Sequence, residues 1–146
     1  MDESKTQRRR SMRTFMHSIA AGFASICILG SAAAADMTGA QIQSLISGKT
    51  GYVKTGAASV TGTTGEGVIY WSADGNSVYK TPQGPIWHGI WSIKDNLYCS
   101  EYKEGPKRPC MKVEKEGDTV SFIDSESGQL RITVVKTAPG NTEHLN

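Results

Sequence analysis

Val68-Ile69-Tyr70-Trp71-Ser72 is followed by Asp74-Gly75-Asn76 and then by Ser77-Val78-Tyr79-Lys80-Thr81. A run of aromatic and β-branched residues, a turn signal and a second such run predict two antiparallel strands joined by a tight turn. Working outward, Pro82, Gly84 and Pro85 end the second strand, and Ile86 to Lys94 forms the next. Asp95-Asn96 turns that strand into Leu97 to Tyr102. Arg108 to Glu116, Thr119 to Asp124 and Leu130 to Lys136 follow, separated by Gly117-Asp118 and Ser127-Gly128. Turn signals recur every 8 to 14 residues, the spacing of a small antiparallel barrel or sandwich. The expected fold is mainly β: a small antiparallel β-barrel of about eight short strands. A barrel also removes exposed sheet edges, which invite aggregation.

Upstream, Thr38 is placed to cap a short helix carrying Ile42, Leu45 and Ile46, and Gly48 sits where a helix stops. Gly48-Lys49-Thr50 matches the end of a phosphate-binding loop. The full motif needs a glycine where Gln43 stands, a strand before and a helix after. Here a helix precedes and a strand follows, so the helix-stop reading prevails. The closing stretch, Ala138 to Asn146, is polar and is expected to lie over the surface.

The first 35 residues have the order of a bacterial export signal. Arg8, Arg9, Arg10 and Arg13 precede an apolar run from Ile19 to Gly30, and Ala33 and Ala35 fit an A-x-A cleavage site. The expected cut lies between Ala35 and Asp36, so residues 1–35 are a signal peptide and 36–146 one small domain. An uncleaved anchor is the alternative, although Ile19 to Ala35 is short for a span of about 20 apolar residues. Cys27 follows Ile26 rather than a small residue, which argues against lipidation. Arg9-Arg10 lacks the apolar pair that twin-arginine export expects close behind. Five of 16 basic residues and two of 14 acidic ones lie before the cut. The remaining charge is therefore about −1 rather than +2, which gives no support to nucleic-acid binding. The expected location is periplasmic or secreted, without a stable membrane span after cleavage.

Cys27 departs with the signal, leaving Cys99 and Cys110. Two cysteines in an oxidising compartment are expected to form a structural disulfide. Their midpoint is Glu104-Gly105, so strands 97–102 and 108–113 joined by a Gly105-Pro106 turn would bring the sulfurs together. Closing 12 residues stabilises by about 3 kcal/mol in the chain-entropy model.

Candidate chemistry is sparse. Alternation along 86–94 puts Trp87, Gly89, Trp91 and Ile93 on one face and His88, Ile90 and Ser92 on the other. Trp71, Trp87 and Trp91 with the tyrosines could line a barrel mouth for an apolar or sugar-like ligand, although large aromatics are commonly core. His88 lacks a surrounding nucleophile-elbow pattern at Ser72, Ser92 or Ser100, so no catalytic set is assigned. Asp124, Ser125, Glu126 and Ser127 do not follow an EF-hand pattern and read as a polar hairpin tip. The glycine-rich Thr61 to Gly67 loop is flexible enough to approach a ligand. Lys103, Lys107, Arg108, Lys112 and Lys115 are interleaved with Glu101, Glu104, Glu114 and Glu116, a mixed-sign solvated surface. No metal site and no cofactor are expected. The candidate contact residues are Trp71, Trp87, His88, Trp91, Lys107 and Arg108.

Leu45-Ile46-Ser47-Gly48-Lys49-Thr50, Tyr70-Trp71-Ser72-Ala73-Asp74-Gly75, Gly89-Ile90-Trp91-Ser92-Ile93 and Leu97-Tyr98-Cys99 occur in that order. Cys110 with Val113, Gly117-Asp118 and Gly140-Asn141 complete the pattern. The arrangement resembles a family of small secreted proteobacterial proteins of uncharacterised function, with Gly-x-Trp and a paired-cysteine β domain. The resemblance implies an exported, mostly β protein and carries over no catalytic residue. A looser likeness, of size, export and one disulfide, is to small periplasmic β-barrel inhibitors of lysozymes or proteases. The leading expectation is a non-enzymatic exported domain that binds a small ligand, an envelope component or a protein. The alternative is a periplasmic inhibitor of a lysozyme or protease, acting through the loop Lys103 to Pro109.

Overall fold

The alternation seen along 86–94 persists around a closed ring of strands. The computed structural model describes residues 33–146, so the expected signal segment lies almost wholly outside the described residues. Its elements are β1 (Ala35–Asp36), α1 (Gly39–Ile46), β2 (Lys49–Thr55), β3 (Gly65–Trp71) and β4 (Asn76–Lys80), followed by β5 (Ile86–Lys94), β6 (Leu97–Tyr102), β7 (Met111–Glu116), β8 (Thr119–Asp124) and β9 (Leu130–Pro139). Each strand from β2 to β9 pairs antiparallel with its neighbour in sequence, and β9 returns to β2. The result is an eight-stranded up-and-down barrel, with β1 as an extra strand on β7 and one short helix.

The meander gives the barrel two ends. At one, α1 enters β2. Thr38 and Gln41 form a capping box, with Gln41 Oε1 accepting from Thr38 N at 2.7 Å. Gly48 then takes φ +68°, a left-handed conformation that suits glycine at a helix stop. Ile42 and Ile46 are 0 % exposed and plug this end, each burial stabilising by about 2 kcal/mol. Lys49, the lysine of the partial phosphate-loop match, donates to the Ser44 carbonyl at 2.7 Å and so braces the helix. Below α1, Trp71 stacks with Phe122 (centroids 6.4 Å apart) and donates its indole N–H to Tyr98 Oη at 2.9 Å. Gly51 is required there, since a Cβ would run into the Trp71 ring. At the opposite end lie four connections: 56–64, 81–85, 103–110 and 125–129.

One seam departs from the expected hairpin. Strands β6 and β7 share a single residue pair, Tyr98 with Met111. The connection 103–110 is wide rather than a tight Gly105-Pro106 turn, and β7 begins at Met111 instead of Arg108. Pro106 and Pro109 have no N–H to give to a ladder. Part of the edge of β7 is taken by β1, with Ala35 opposite Lys115 and Asp36 opposite Glu114. Met37 N continues that contact, donating to Val113 O at 2.8 Å. The expected cut between Ala35 and Asp36 thus falls inside β1. Cys99 and Cys110 lie beside the single pair at disulfide distance, with Cα atoms 4.3 Å apart.

The chain end is more embedded than its polarity suggests. Thr50 Oγ1 donates to Gly140 O at 2.7 Å, and Tyr52 Oη donates to Glu143 Oε1 at 2.6 Å. Leu145 is buried beneath this return over β2.

Asp124 closes the β8–β9 connection. Its Oδ1 accepts from Ser127 N at 2.9 Å and Glu126 N at 3.0 Å, and its Oδ2 accepts from Arg131 Nε at 2.9 Å and Arg131 Nη2. These bonds, the Ser127 N–H first, outweigh desolvation and hold the carboxyl well below its usual range.

Two outcomes are expected. Replacing both Cys99 and Cys110 by serine should lower stability by about 3 kcal/mol, measured as a lower urea midpoint; an unchanged midpoint would show that the seam holds without the bond. Asp124 has a depressed folded-state pKa, so its contribution is present above pH ~4 and lost as pH falls through the folded value. Asp124→Asn should destabilise by about 3 kcal/mol at neutral pH, because the buried Arg131 loses its counter-charge. It should also flatten the acid limb of stability against pH in urea melts.

Candidate functional site

The outer faces of β4, β5 and β6 carry the most developed surface concavity near the expected contact residues. Register places Val78 beside His88, and Ile90 between Asn76 and Glu101. These side chains point away from the core because Ser77 and Tyr79 on β4, and Trp87 and Trp91 on β5, point into it. The 103–110 connection folds back as a wall. His88 N donates to Glu104 Oε2 at 2.8 Å, Lys103 N donates to His88 O at 2.9 Å, and His88 Nδ1 lies 3.2 Å from Glu104 Oε1. Lys107 Nζ reaches Glu101 at 3.6 Å. The groove between wall and sheet measures about 610 Å³. Ile90, 58 % exposed, stands on its floor, an apolar anchor rimmed by charge.

The Glu104 carboxyl sits below its usual range. Partial desolvation raises it, and the backbone N–H and ring of His88 more than offset that. Among the described residues, the His88 ring bonds to Glu104 and to no hydroxyl. Ser100 lies instead on the inner side of β6, along the wall of the internal cavity. The Asp124 cluster is saturated by its own turn and Arg131. No group of three or more His, Cys, Asp or Glu side chains is placed to hold a metal among the described residues.

The six candidate contact residues separate into three places. Trp71 and Trp91 are core, the latter donating Nε1–H to Ser72 O at 2.9 Å. His88 and Lys107 line the outer groove. Trp87 is half-buried near Tyr79 and Tyr102, with ring centroids 6.4 and 6.2 Å away. Arg108 lies on the border of an internal cavity at the four-connection end.

That cavity shows a feature sequence reading passed over. The inner side of β4 and the residue after it present Ser77, Tyr79 and Thr81, all buried, of which Tyr79 borders the cavity. The inner side of β6 presents Tyr98, Ser100 and Tyr102. Between them, β5 offers Gly89, where a Cβ would strike the Glu101 carbonyl and Tyr102. Two hydroxyl ladders thus face the barrel interior at a spacing of two residues. The signal was present in Ser77-x-Tyr79-x-Thr81 and Tyr98-x-Ser100-x-Tyr102, but aromatic content directed attention to the rings. Burial pushes the Tyr79 and Tyr98 hydroxyls up to about 12 and Tyr102 well above its usual value, so all three stay protonated.

The described part of the chain contains no helix long and apolar enough to cross a membrane. No protein-family model, curated protein or solved structure matches this chain.

Proposed function

We propose that this protein is an exported, non-enzymatic binding domain that recognises an envelope partner through the groove of Val78, His88, Ile90, Glu101 and Lys107. The observation that carries the reading is the contrast between inside and outside. The inner cavity is about 30 Å³, the size of a water or two, whereas the outer groove has about 610 Å³ and an exposed isoleucine. Export is supported by the arginine-rich and apolar leader and by the disulfide-distance cysteine pair. The groove wall is preorganised by the cysteine pair at its base and by Glu104 at its middle, which lowers the entropy lost on binding.

A second reading is favoured by one detail of the same wall. Lys107 has a side chain 87 % exposed, and it is presented on a covalently closed connection as an inhibitory loop would be. Lysozyme and protease rates in the presence of the protein separate the two, because a groove binder leaves them unchanged.

Cross-linking from Ser92, beside the groove, should capture an envelope component with the wild type. Ile90→Glu should reduce capture at least tenfold, and Val135→Glu, an exposed apolar position on β9, should leave it unchanged. Equal capture by all three proteins would refute the groove. N-terminal sequencing of the exported protein should begin at Asp36; retention of residues 1–35 would instead indicate an anchor.

A further inference from the structure

The hydroxyl ladders call for a separate account, because three of their members have no bonding partner. Ser77 Oγ, Tyr79 Oη and Thr81 Oγ1 are buried without a hydrogen bond of ordinary geometry, although Tyr102 lies beside Ser77 and Thr61 beside Tyr79. Ser77, Tyr79 and Thr81 are 1 %, 2 % and 4 % exposed. A buried hydroxyl left unpaired destabilises by about 1–3 kcal/mol. Three such groups in a row on the inner side of one strand and its continuation make a pattern that packing alone does not reward.

Of the three, Tyr79 borders the 30 Å³ cavity, where Tyr98, Ser100, Tyr102, Arg108 and Arg131 stand among the apolar Ile69, Met111 and Ile132. Asp124 is paired with Arg131, and Arg108 has no carboxylate partner among the described residues. The cavity border therefore holds two guanidinium groups, one of them paired with Asp124, with the tyrosines protonated. That balance fits a small negatively charged guest that accepts hydrogen bonds.

The roof over the cavity is the connection 56–64. Val60 packs on the core beside Trp87 and Gly105. The rest of the roof binds mainly to itself and to its neighbours. Ser59 Oγ donates to Thr63 O at 3.0 Å, Thr55 Oγ1 donates to Thr63 O at 2.8 Å, and Gly56 N donates to Arg131 O at 2.7 Å. Gly56 and Gly65 flank the segment, and Gly65 takes φ +148°. A roof with one apolar anchor and a glycine at each end can lift without unravelling a strand. Val60 itself borders the cavity, so lifting the roof would widen it.

We infer that the four-connection end of the barrel is a closed binding site for a small oxyanion, roofed by residues 56–64 and read by Tyr79 and Arg108. This site is distinct from the outer groove, and its test does not depend on the groove.

The test is a thermal melt of the exported protein titrated with inorganic phosphate and, separately, acetate, against sodium chloride at equal ionic strength. One of the two anions should raise Tm saturably beyond chloride. Tyr79→Phe, which keeps the ring and removes the hydroxyl, should weaken the apparent Kd about tenfold, and Arg108→Gln should do the same from an exposed position. In anion-free buffer Tyr79→Phe should raise Tm, since it deletes an unpaired buried hydroxyl. Three results would overturn the site: no anion-specific rise, an equal rise in both variants, or a lower Tm for Tyr79→Phe without anion. The last would mean that the hydroxyl is already satisfied in the resting barrel.

Discussion

Closing a ring of strands requires that every seam hold, and here one seam is much weaker than the others. Between β6 and β7 the backbone contributes one residue pair, Tyr98 with Met111, whereas β2 and β3 are paired along seven residues. Three devices make up the shortfall. The Cys99–Cys110 pair ties the strands beside their single contact. The short strand β1 covers part of the open edge of β7. Ser125 N then donates to Cys110 O at 3.1 Å, tying the seam to the next connection. Without them β6 and β7 would expose unpaired N–H and C=O groups, and the barrel would become an open sheet with two reactive edges. The cysteine pair is the covalent one of the three, so the fold suits a compartment where thiols are oxidised.

The eight-stranded barrel and its local turns were readable in the sequence, whereas the wide β6–β7 seam and the pairing of β1 were not. Ile86–Lys94, Leu97–Tyr102 and Thr119–Asp124 have the limits that their alternation and turn residues predict. The helix start at Thr38 and stop at Gly48 likewise follow from capping. The hairpin expected over 97–113 fails in the stretch holding Pro106 and Pro109, which give no N–H to a ladder, while β1 takes the β7 edge beyond it at Glu114 and Lys115. Nothing local in Ala35–Asp36 announces that they pair with Lys115 and Glu114. The same limit applies to the contact residues. Alternation correctly placed Trp87 and Trp91 opposite His88 and Ile90. It could not show that Glu104 would return to bind His88.

The interior divides along the same axis. Toward α1 the barrel is filled by Ile42, Ile46, Trp71 and Phe122, and two isoleucines from one helix seal it. Toward the four connections the inner side mixes Ile69, Met111 and Ile132 with Tyr79, Ser100 and Tyr102, and the seal changes from a helix to a glycine-flanked loop. Eight strands enclose a space just wide enough for side chains to fill or for one small guest. This chain takes the first option in one half. In the other it leaves a cavity bordered by Tyr79, Tyr102 and Arg131. The packed half can carry the stability that unpaired hydroxyls in the polar half forfeit, which is how proteins tolerate locally unfavourable groups.

The connection 103–110 joins both candidate sites to the weak seam. It begins at β6, supplies Glu104 and Lys107 to the outer groove, passes Arg108 to the cavity border, and ends at Cys110. Neighbouring residues of an extended segment point to opposite sides, so Lys107 and Arg108 serve opposite surfaces without any special turn. Gly105 lets this segment lie against Trp87, where a Cβ would approach the ring to 2.6 Å. A hairpin of ordinary tightness would have paired β6 with β7 fully and spared the barrel its covalent tie. It would also have left no wall for the groove and no arginine at the cavity. The long connection is therefore best understood as the reason the seam needs its cysteines, since the same residues that weaken the ladder build the two surfaces on which recognition would depend.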